Sequence, residues 1–354
     1  MQVRLNNSKK IKTSRSVNWA NKKILITGGA SFIGSHLVDA MVPKGGYIRV
    51  ADDFSSGKKS NIQKHLKEKN IELVEGDLRD TQVAKKALKG IDVVFHLACD
   101  HGGRGYVELH QADCATNLAL DGTVFLTAKN AGVEKIVYAS SGCVYPNFLQ
   151  MNTKEQLFLA EDLVGPPYHA DNMYGWSKLM GEMTLKAYHA DWRIKTASCR
   201  FFTVYGKRGL ENHAVMAMIA RAFLRQDPFI IWGDGSQVRN WTHVTDIVEG
   251  MILVAEKIDD GSAINLGTME RIQVMEAAEE ILKYTGHQAT IKTHPEMPVG
   301  PVNRVADNTR AKDILGWEPK VRFIDGLHET IDWYFSTKNR KDVERMLPAL
   351  LMGR

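Results

Sequence analysis

Two short stretches hold the side chains with the most chemistry to offer. "YGWSK" sets Tyr174 and Lys178 four residues apart, which on a helix puts them on one face. A cation beside a phenol favours the phenolate. A phenolate can take the proton of a hydroxyl group as hydride leaves the carbon that bears it. "SSGCVYPN" sets Ser141 and Cys143 two residues apart at the end of an apolar run. Along a strand, residues two apart point the same way. Ser141 and Cys143 would then face one substrate, with the Ser141 hydroxyl bonded to the oxygen that Tyr174 deprotonates. A thiol beside a cation ionises readily and becomes a base. Free cysteine also packs as a small hydrophobe; that is the competing reading of Cys143 and the expected role of Cys99, Cys114 and Cys199.

Hydride chemistry needs a carrier, and a third stretch reads as its cradle. Lys23 to Thr27 is a short β-rich run, and "GGASFIGSHLVDAMV" follows it with Gly28, Gly29 and Gly34 at the opening of a helix. Backbone N–H groups at a helix N-terminus hold a pyrophosphate, and glycine lets it approach closely. Asp52 lies 18 residues after Gly34, at the end of the next apolar run. A carboxylate there accepts hydrogen bonds from an adenosine ribose and repels a 2′-phosphate, which favours NAD over NADP. The expected cofactor contacts are Gly28, Ser31, Phe32, Ile33, Gly34, Asp52, Asp77, Leu78, Leu97 and Ala98, together with Tyr174 and Lys178. Ser31 stands where such loops usually carry a middle glycine.

The elements that must position these residues alternate. Apolar runs at "KILIT", "YIRVADD", "IELVEGD", "DVVFHLAC", "KIVYASSGCVY" and "IKTASCRFFTVYG" read as strands. Helical patterns separate them, including "TNLALDGTVFLTAKNAG", which stops at Gly132, and "MYGWSKLMGEMTLKAYHAD". That order predicts an α/β fold, a doubly wound parallel sheet with a smaller, interleaved lobe. The expected organisation is a mobile basic tail over 1–20, the sheet domain over 21–200, the lobe mostly over 201–335 with segments returning to the sheet, and an extension over 336–354.

Bulk composition sets limits. The 354 residues are 44% hydrophobic and 25% charged, with net charge +5, which suits a globular chain. Arg4, Lys9, Lys10, Lys12, Arg15, Lys22 and Lys23 crowd a start that holds no acid, so the remainder is close to neutral. Nucleic acid is therefore not an expected partner. No apolar run reaches the ~18 residues of a membrane span. The tail lacks the apolar core of a signal peptide. The four scattered cysteines form neither a disulfide framework nor a zinc pattern, so no metal is expected and a reducing cytoplasm is.

"TGGASFIGSH", "FHLA", "SSGCVYP", "YGWSK", "RFFTVYG", "INLG" and "LGWEPK", in this order over roughly residues 21–335, resemble the extended short-chain dehydrogenase/reductase family. The resemblance implies a Rossmann domain that binds NAD and a lobe that binds a nucleotide-diphosphate sugar. It also implies a homodimer joined through a four-helix bundle, here about residues 107–131 and 173–190. Within the family, "CDHGGRGY", "SSGCVYPNF" and "NRVADN" resemble the GDP-mannose 3,5-epimerases, an isomerase group. There the first stretch is a glycine-rich substrate loop, which points to Gly103 and Arg104, with His101 also within reach of the sugar. The second carries an active-site cysteine, matched by Cys143, and the third a phosphate-binding arginine, matched by Arg304.

These resemblances imply a chemistry. Oxidation at C4 of the sugar acidifies the hydrogens on C3 and C5; a base on one face and an acid on the other then invert those carbons, and the same hydride returns. Cys143 matches the base. The family's acid is a lysine, but the segment after "RFFTVYG" is about four residues shorter here and places His213 at its position. Histidine can serve as an acid near neutral pH. Arg221, Arg239 and Arg304 have the guanidinium groups that suit a diphosphate, with a solvated face the competing expectation for Arg221. Two alternatives stay open: a UDP-hexose or uronate 4-epimerase, which needs only Ser141, Tyr174 and Lys178, and a dehydratase with Cys143 as base.

Overall fold

The computed structural model describes residues 17–67 and 70–352. Its centre is a seven-stranded parallel sheet. The first six strands in chain order are β1 (Lys23–Thr27), β2 (Tyr47–Asp52), β3 (Ile71–Glu75), β4 (Val93–His96), β5 (Lys135–Ser141) and β6 (Lys195–Phe201). The seventh is Asp260–Leu266, and the spatial order runs Asp260–Leu266, β6, β5, β4, β1, β2, β3. Helices cover both faces, which is why these strands read as nearly continuous apolar runs; every residue of β5 is buried. On one face α1 (Phe32–Met41) and the helix Val244–Lys257 add Leu37, Val38, Ile247 and Met251 to the core. On the other, α2 (Thr81–Leu88) and the helix Asn117–Asn130 add Ala84, Leu88, Val124 and Phe125.

The lobe has its own apolar core of Met216, Ile219, Trp241, Phe323 and Ile331. It is built from the helices Ala214–Phe223, Val274–Tyr284 and Phe323–Thr337 and from short strands. Chain segments 244–266 and 309–315 return to pack on the sheet between visits to the lobe. Most of the basic tail, residues 1–16, lies outside the described residues, as do 353 and 354. Just after the tail, Trp19 is buried against Phe95, ring centroids 6.0 Å apart, and donates its indole N–H to Glu256 Oε1 at 2.7 Å.

Three local expectations need correction. The strand through "KIVYASSGCVY" ends at Ser141, and Gly142–Val144 form a 3-10 turn. The Ser141 hydroxyl accepts the Cys143 N–H at 3.1 Å, a side-chain bond that competes with further strand pairing. "IKTASCRFFTVYG" divides into β6 and the strand Thr203–Tyr205, which pairs with Trp241–His243 instead of the main sheet. The helix expected over 107–131 is three pieces, Arg104–Leu109, Gln111–Ala115 and Asn117–Asn130. His110 leaves helical geometry between the first two, with φ −114° and ψ 52° and its ring stacked on Tyr106.

Candidate active site

One cleft runs along the carboxyl ends of the strands and under the lobe, the place where a doubly wound sheet binds ligands. Its floor at the sheet is backbone. The turn after β1 brings Gly28 and α1 so close that a Cβ on Gly34 would sit 2.1 Å from the Gly28 carbonyl oxygen. Ser31 fits this turn because its φ of −83° is ordinary, and its hydroxyl donates to that same oxygen at 2.5 Å. Asp52, at the end of β2, accepts the N–H of Ala30 and of Phe54, each at 2.9 Å, and lines the cleft. Ser31, Phe32, Ile33, Asp77, Leu78, Leu97 and Ala98 line the same half. Gly34 lies beneath it and is buried. Arg79, which the sequence did not mark, pairs with Asp77 at 2.8 Å at this edge.

Thr27 joins the floor to the next loop. Its Oγ1 accepts the N–H of Leu97 and Ala98, each at 3.0 Å, and lies 2.8 Å from His96 Nδ1. His96 Nε2 meets Asp121 Oδ1 at 3.0 Å, and Asp121 Oδ2 accepts the Tyr138 hydroxyl at 2.5 Å. Over the Tyr138 ring stands Lys178 Nζ, 4.7 Å from the centroid. Lys178 is 1% exposed, and its Nζ has no hydrogen-bond partner among the described residues. A buried ammonium without a partner is costly, and its three donors suit ribose hydroxyls. That group, the glycine turn and Asp52 together fit a dinucleotide.

The long helix Asn172–Trp192 carries Tyr174 and Lys178. It starts against the 3-10 turn: Asp171 donates its N–H to the Cys143 carbonyl at 2.8 Å, and a Cβ on Gly175 would lie 2.3 Å from that oxygen. This contact brings Tyr174, Ser141 and Cys143 together, all lining the cleft. Strand alternation does not do so. Burial pushes the Tyr174 hydroxyl well above its ordinary value, Cys99 and Cys143 add to the rise, and a hydrogen bond with Ser141 opposes it. Lys178 Nζ is 5.8 Å from the Tyr174 ring centroid, and the phenolate that the cation was expected to favour is disfavoured here, because burial outweighs it.

The substrate half is made of side chains from distant segments. Arg304 donates Nη1–H to Cys143 Sγ at 3.1 Å, Nε–H to Gln150 Oε1 at 2.8 Å and Nη2–H to Asp171 Oδ2 at 3.0 Å. Asp171 Oδ2 also accepts Arg104 Nη1 at 2.8 Å. Burial works to raise the Asp171 carboxyl, but Arg304 and Arg104 outweigh it and hold it below its ordinary value. Burial likewise opposes the Arg304 charge, and Cys143 and Asp171 outweigh that. Sequence reasoning assigned Arg304 to phosphate and missed Asp171 and Gln150; the structure puts the Arg304 guanidinium on the thiol.

For two other arginines burial prevails. Burial pushes Arg239 down to about 9, with Arg304 and Arg104 adding to the fall, and pushes Arg221 down to about 10. Arg221 is 5% exposed, so it is not on the solvated face that competed for it. Both line the cleft, and each is ready for an anion. His213 also lines it, at the N-terminus of helix Ala214–Phe223. Its ring lies 5.3 Å from His101, whose ring stacks on Tyr174 at 4.5 Å. Burial pushes His213 down to about 4, so at neutral pH the ring is neutral and not the imidazolium that an acid role suggested. Gly103 and Arg104 complete the wall.

Comparisons with known proteins agree with this architecture. The NAD dependent epimerase/dehydratase family matches residues 24–267. The chain is 33% identical over 326 residues to GDP-mannose 3,5-epimerase 1 of Oryza sativa subsp. japonica, spanning 90% of this chain and 84% of that one. It is 30% identical over 306 residues to UDP-glucuronic acid decarboxylase 2 of Arabidopsis thaliana, spanning 86% and 66%. The UDP-glucuronic acid 4-epimerase of Bacillus cereus, solved with UDP-glucuronic acid and NAD, superposes with a TM-score of 0.80 at 28% identity, covering 89% of this chain and 100% of that one.

Proposed function

The chain belongs to the NAD dependent epimerase/dehydratase family, with NAD as its cofactor, and from that premise we propose that it epimerises a nucleotide-diphosphate sugar at C3, C5 or both through a transient 4-keto sugar. GDP-mannose is the first candidate substrate. The observation that carries the reading is Cys143 Sγ, in the cleft beside Ser141 and Tyr174, accepting a hydrogen bond from the Arg304 guanidinium at 3.1 Å. A 4-epimerase has no use for a base there.

The glycine turn, Asp52 and Lys178 would hold NAD, which would supply reversible hydride transfer at C4 of the sugar. Tyr174 removes the C4 hydroxyl proton and gives it back, with Ser141 bonded to the same oxygen and Lys178 holding the ribose. Cys143 takes the proton from the carbon next to the ketone. His213, neutral and lining the same half of the cleft, relays a proton to the carbanion, one ring nitrogen giving its proton as the other takes one from water. Arg221 and Arg239 hold the diphosphate. They stand in a substrate half whose walls, among the described residues, bring no carboxylate to the cleft apart from Asp100.

The reading extends to assembly and compartment. The helices Asn117–Asn130 and Asn172–Trp192 lie side by side. They expose Leu118, Leu126, Trp176 and Met180, an apolar surface suited to a homodimer through a four-helix bundle. No described helix is long and apolar enough to cross a membrane, and a cytoplasmic site of action is part of the proposal.

One observation favours a second reading. His213 is neutral near pH 7 and so carries no imidazolium proton of its own to give, which suits a 4-epimerase. Incubation with GDP-mannose, then with UDP-hexoses and UDP-glucuronic acid, in D2O decides between them. Deuterium at C3 or C5 of the recovered sugar supports the proposal. Inversion at C4 with no deuterium overturns it, and loss of water points to a dehydratase.

A further inference from the structure

Between the glycine-rich wall and His213 lies a side chain that the proposed mechanism does not use. Asn212 is 6% exposed and lines the cleft, and neither its Nδ2 nor its Oδ1 has a hydrogen-bond partner among the described residues. An unpaired carboxamide at such depth is unfavourable by both its donor and its acceptor. Its segment is nevertheless held firmly. Glu211 Oε1 accepts the Tyr334 hydroxyl at 3.0 Å and Lys338 Nζ at 2.7 Å. On the other side a Cβ on Gly103 would fall 1.7 Å from the Asn212 carbonyl oxygen, so wall and segment touch directly. The carboxamide is therefore kept in place by the backbone around it and not by bonds of its own.

Its neighbours say which part of a ligand it meets. His213 follows it, and the rings of His213, His101 and Tyr174 form a column with centroid spacings of 5.3 and 4.5 Å. Across Gly103, Arg104 leads through Asp171 to Arg304 and Cys143. Asn212 thus stands with the reacting groups. A carboxamide is neutral and offers an acceptor next to a donor. Two neighbouring hydroxyl groups of a hexose match it: one donates to Oδ1 while the other accepts from Nδ2–H. Resting on the nucleotide-sugar reading above, we propose that Asn212 is a specificity residue that binds a vicinal hydroxyl pair of the hexose and so selects the sugar.

The test is calorimetry on the NAD-loaded full chain, comparing GDP-mannose with GDP and UDP-glucose with UDP. The difference within each pair is the contribution of the sugar. Asn212→Leu keeps the approximate shape and removes both polar atoms; Asn212→Asp keeps the acceptor and removes the donors. The expected result is a sugar contribution reduced about tenfold or more in Asn212→Leu and less in Asn212→Asp. Nucleoside diphosphate affinity should be unchanged, and Asn212→Leu should melt no lower than the wild type. A wild-type sugar contribution that both variants retain overturns the inference and leaves the nucleotide-sugar reading standing. Sugar and nucleotide weakened together also overturn it, since that marks a structural role. A wild type that binds none of these nucleotide sugars overturns the nucleotide-sugar reading, and the inference falls with it.

Discussion

In the cofactor half of the cleft, a glycine turn, the ends of neighbouring strands and one carboxylate, Asp52, are held by main-chain hydrogen bonds. In the substrate half, Arg304, Asp171, Arg104, Gln150 and Cys143 hold one another through side chains. The first half sits on the most regular part of the molecule. The second is drawn from segments up to 161 residues apart. Backbone construction fixes one ligand shape, and side-chain construction leaves the substrate and the reaction open to change on the same frame. Ser141, Tyr174 and Lys178 stand on the seam between the two.

The seam gives the largest effect. Tyr174→Phe removes the group proposed to take the C4 hydroxyl proton, and turnover should fall by about 10³-fold or more while NAD and nucleotide-sugar affinities persist. Steady-state rates beside equilibrium binding check this; retained turnover breaks the account of the seam. Next is the cofactor half alone. Gly34→Ala drives a Cβ into the Gly28 carbonyl, at about 1–3 kcal/mol for overpacking. Thermal melting with and without NAD should show lower stability and weaker NAD binding, with the pattern of sugar products unchanged.

Arg304→Met is the matching change in the substrate half. It removes the cation from Cys143 and leaves Asp171 with Arg104. Proton exchange at C3 or C5 should slow by about tenfold or more at neutral pH, and NAD affinity should hold. Equal loss of both would dissolve the distinction between the halves.

The smallest effect is on stability against pH. His213 is held near 4, below its ordinary 6.5, so between those values the unfolded chain binds the extra proton and the folded chain does not. Stability therefore falls as pH drops from about 6.5 to about 4. His36, also pushed down to about 4 by burial, contributes in the same sense. His213→Asn should flatten part of that acid slope and leave stability above pH 7 nearly unchanged, as denaturant melts across pH would record.

The difference between the halves also explains what the sequence made legible. Gly28 to Gly34 and Asp52 follow contiguous runs whose local geometry is set by neighbours in the chain, so the motif carried the geometry with it. Tyr174 and Lys178 were legible for the same reason, four apart on one helix. Asp171 and Gln150 left no trace, because their meaning comes from Arg304, which lies 133 and 154 residues away. Cys143 was singled out by type, yet it reaches the cleft by a 3-10 turn that the Ser141 hydroxyl supports. The alternation argument failed there because a side-chain acceptor took over from the strand. His213 was legible by position, but its proton affinity depends on burial that no local pattern encodes.

The central claim is that Cys143 moves a carbon-bound proton in a step separate from oxidation at C4. The direct measurement is Cys143→Ala beside wild type, each given the sugar nucleotide turned over by the wild type. Deuterium entry at C3 and C5 in D2O is followed by NMR, and the 4-keto sugar is trapped with borodeuteride in a parallel reaction in water. The account predicts that trapping persists in the variant while deuterium entry falls by about 10²-fold or more. Deuterium entry at the wild-type rate would contradict it and return Cys143 to the packing of the wall.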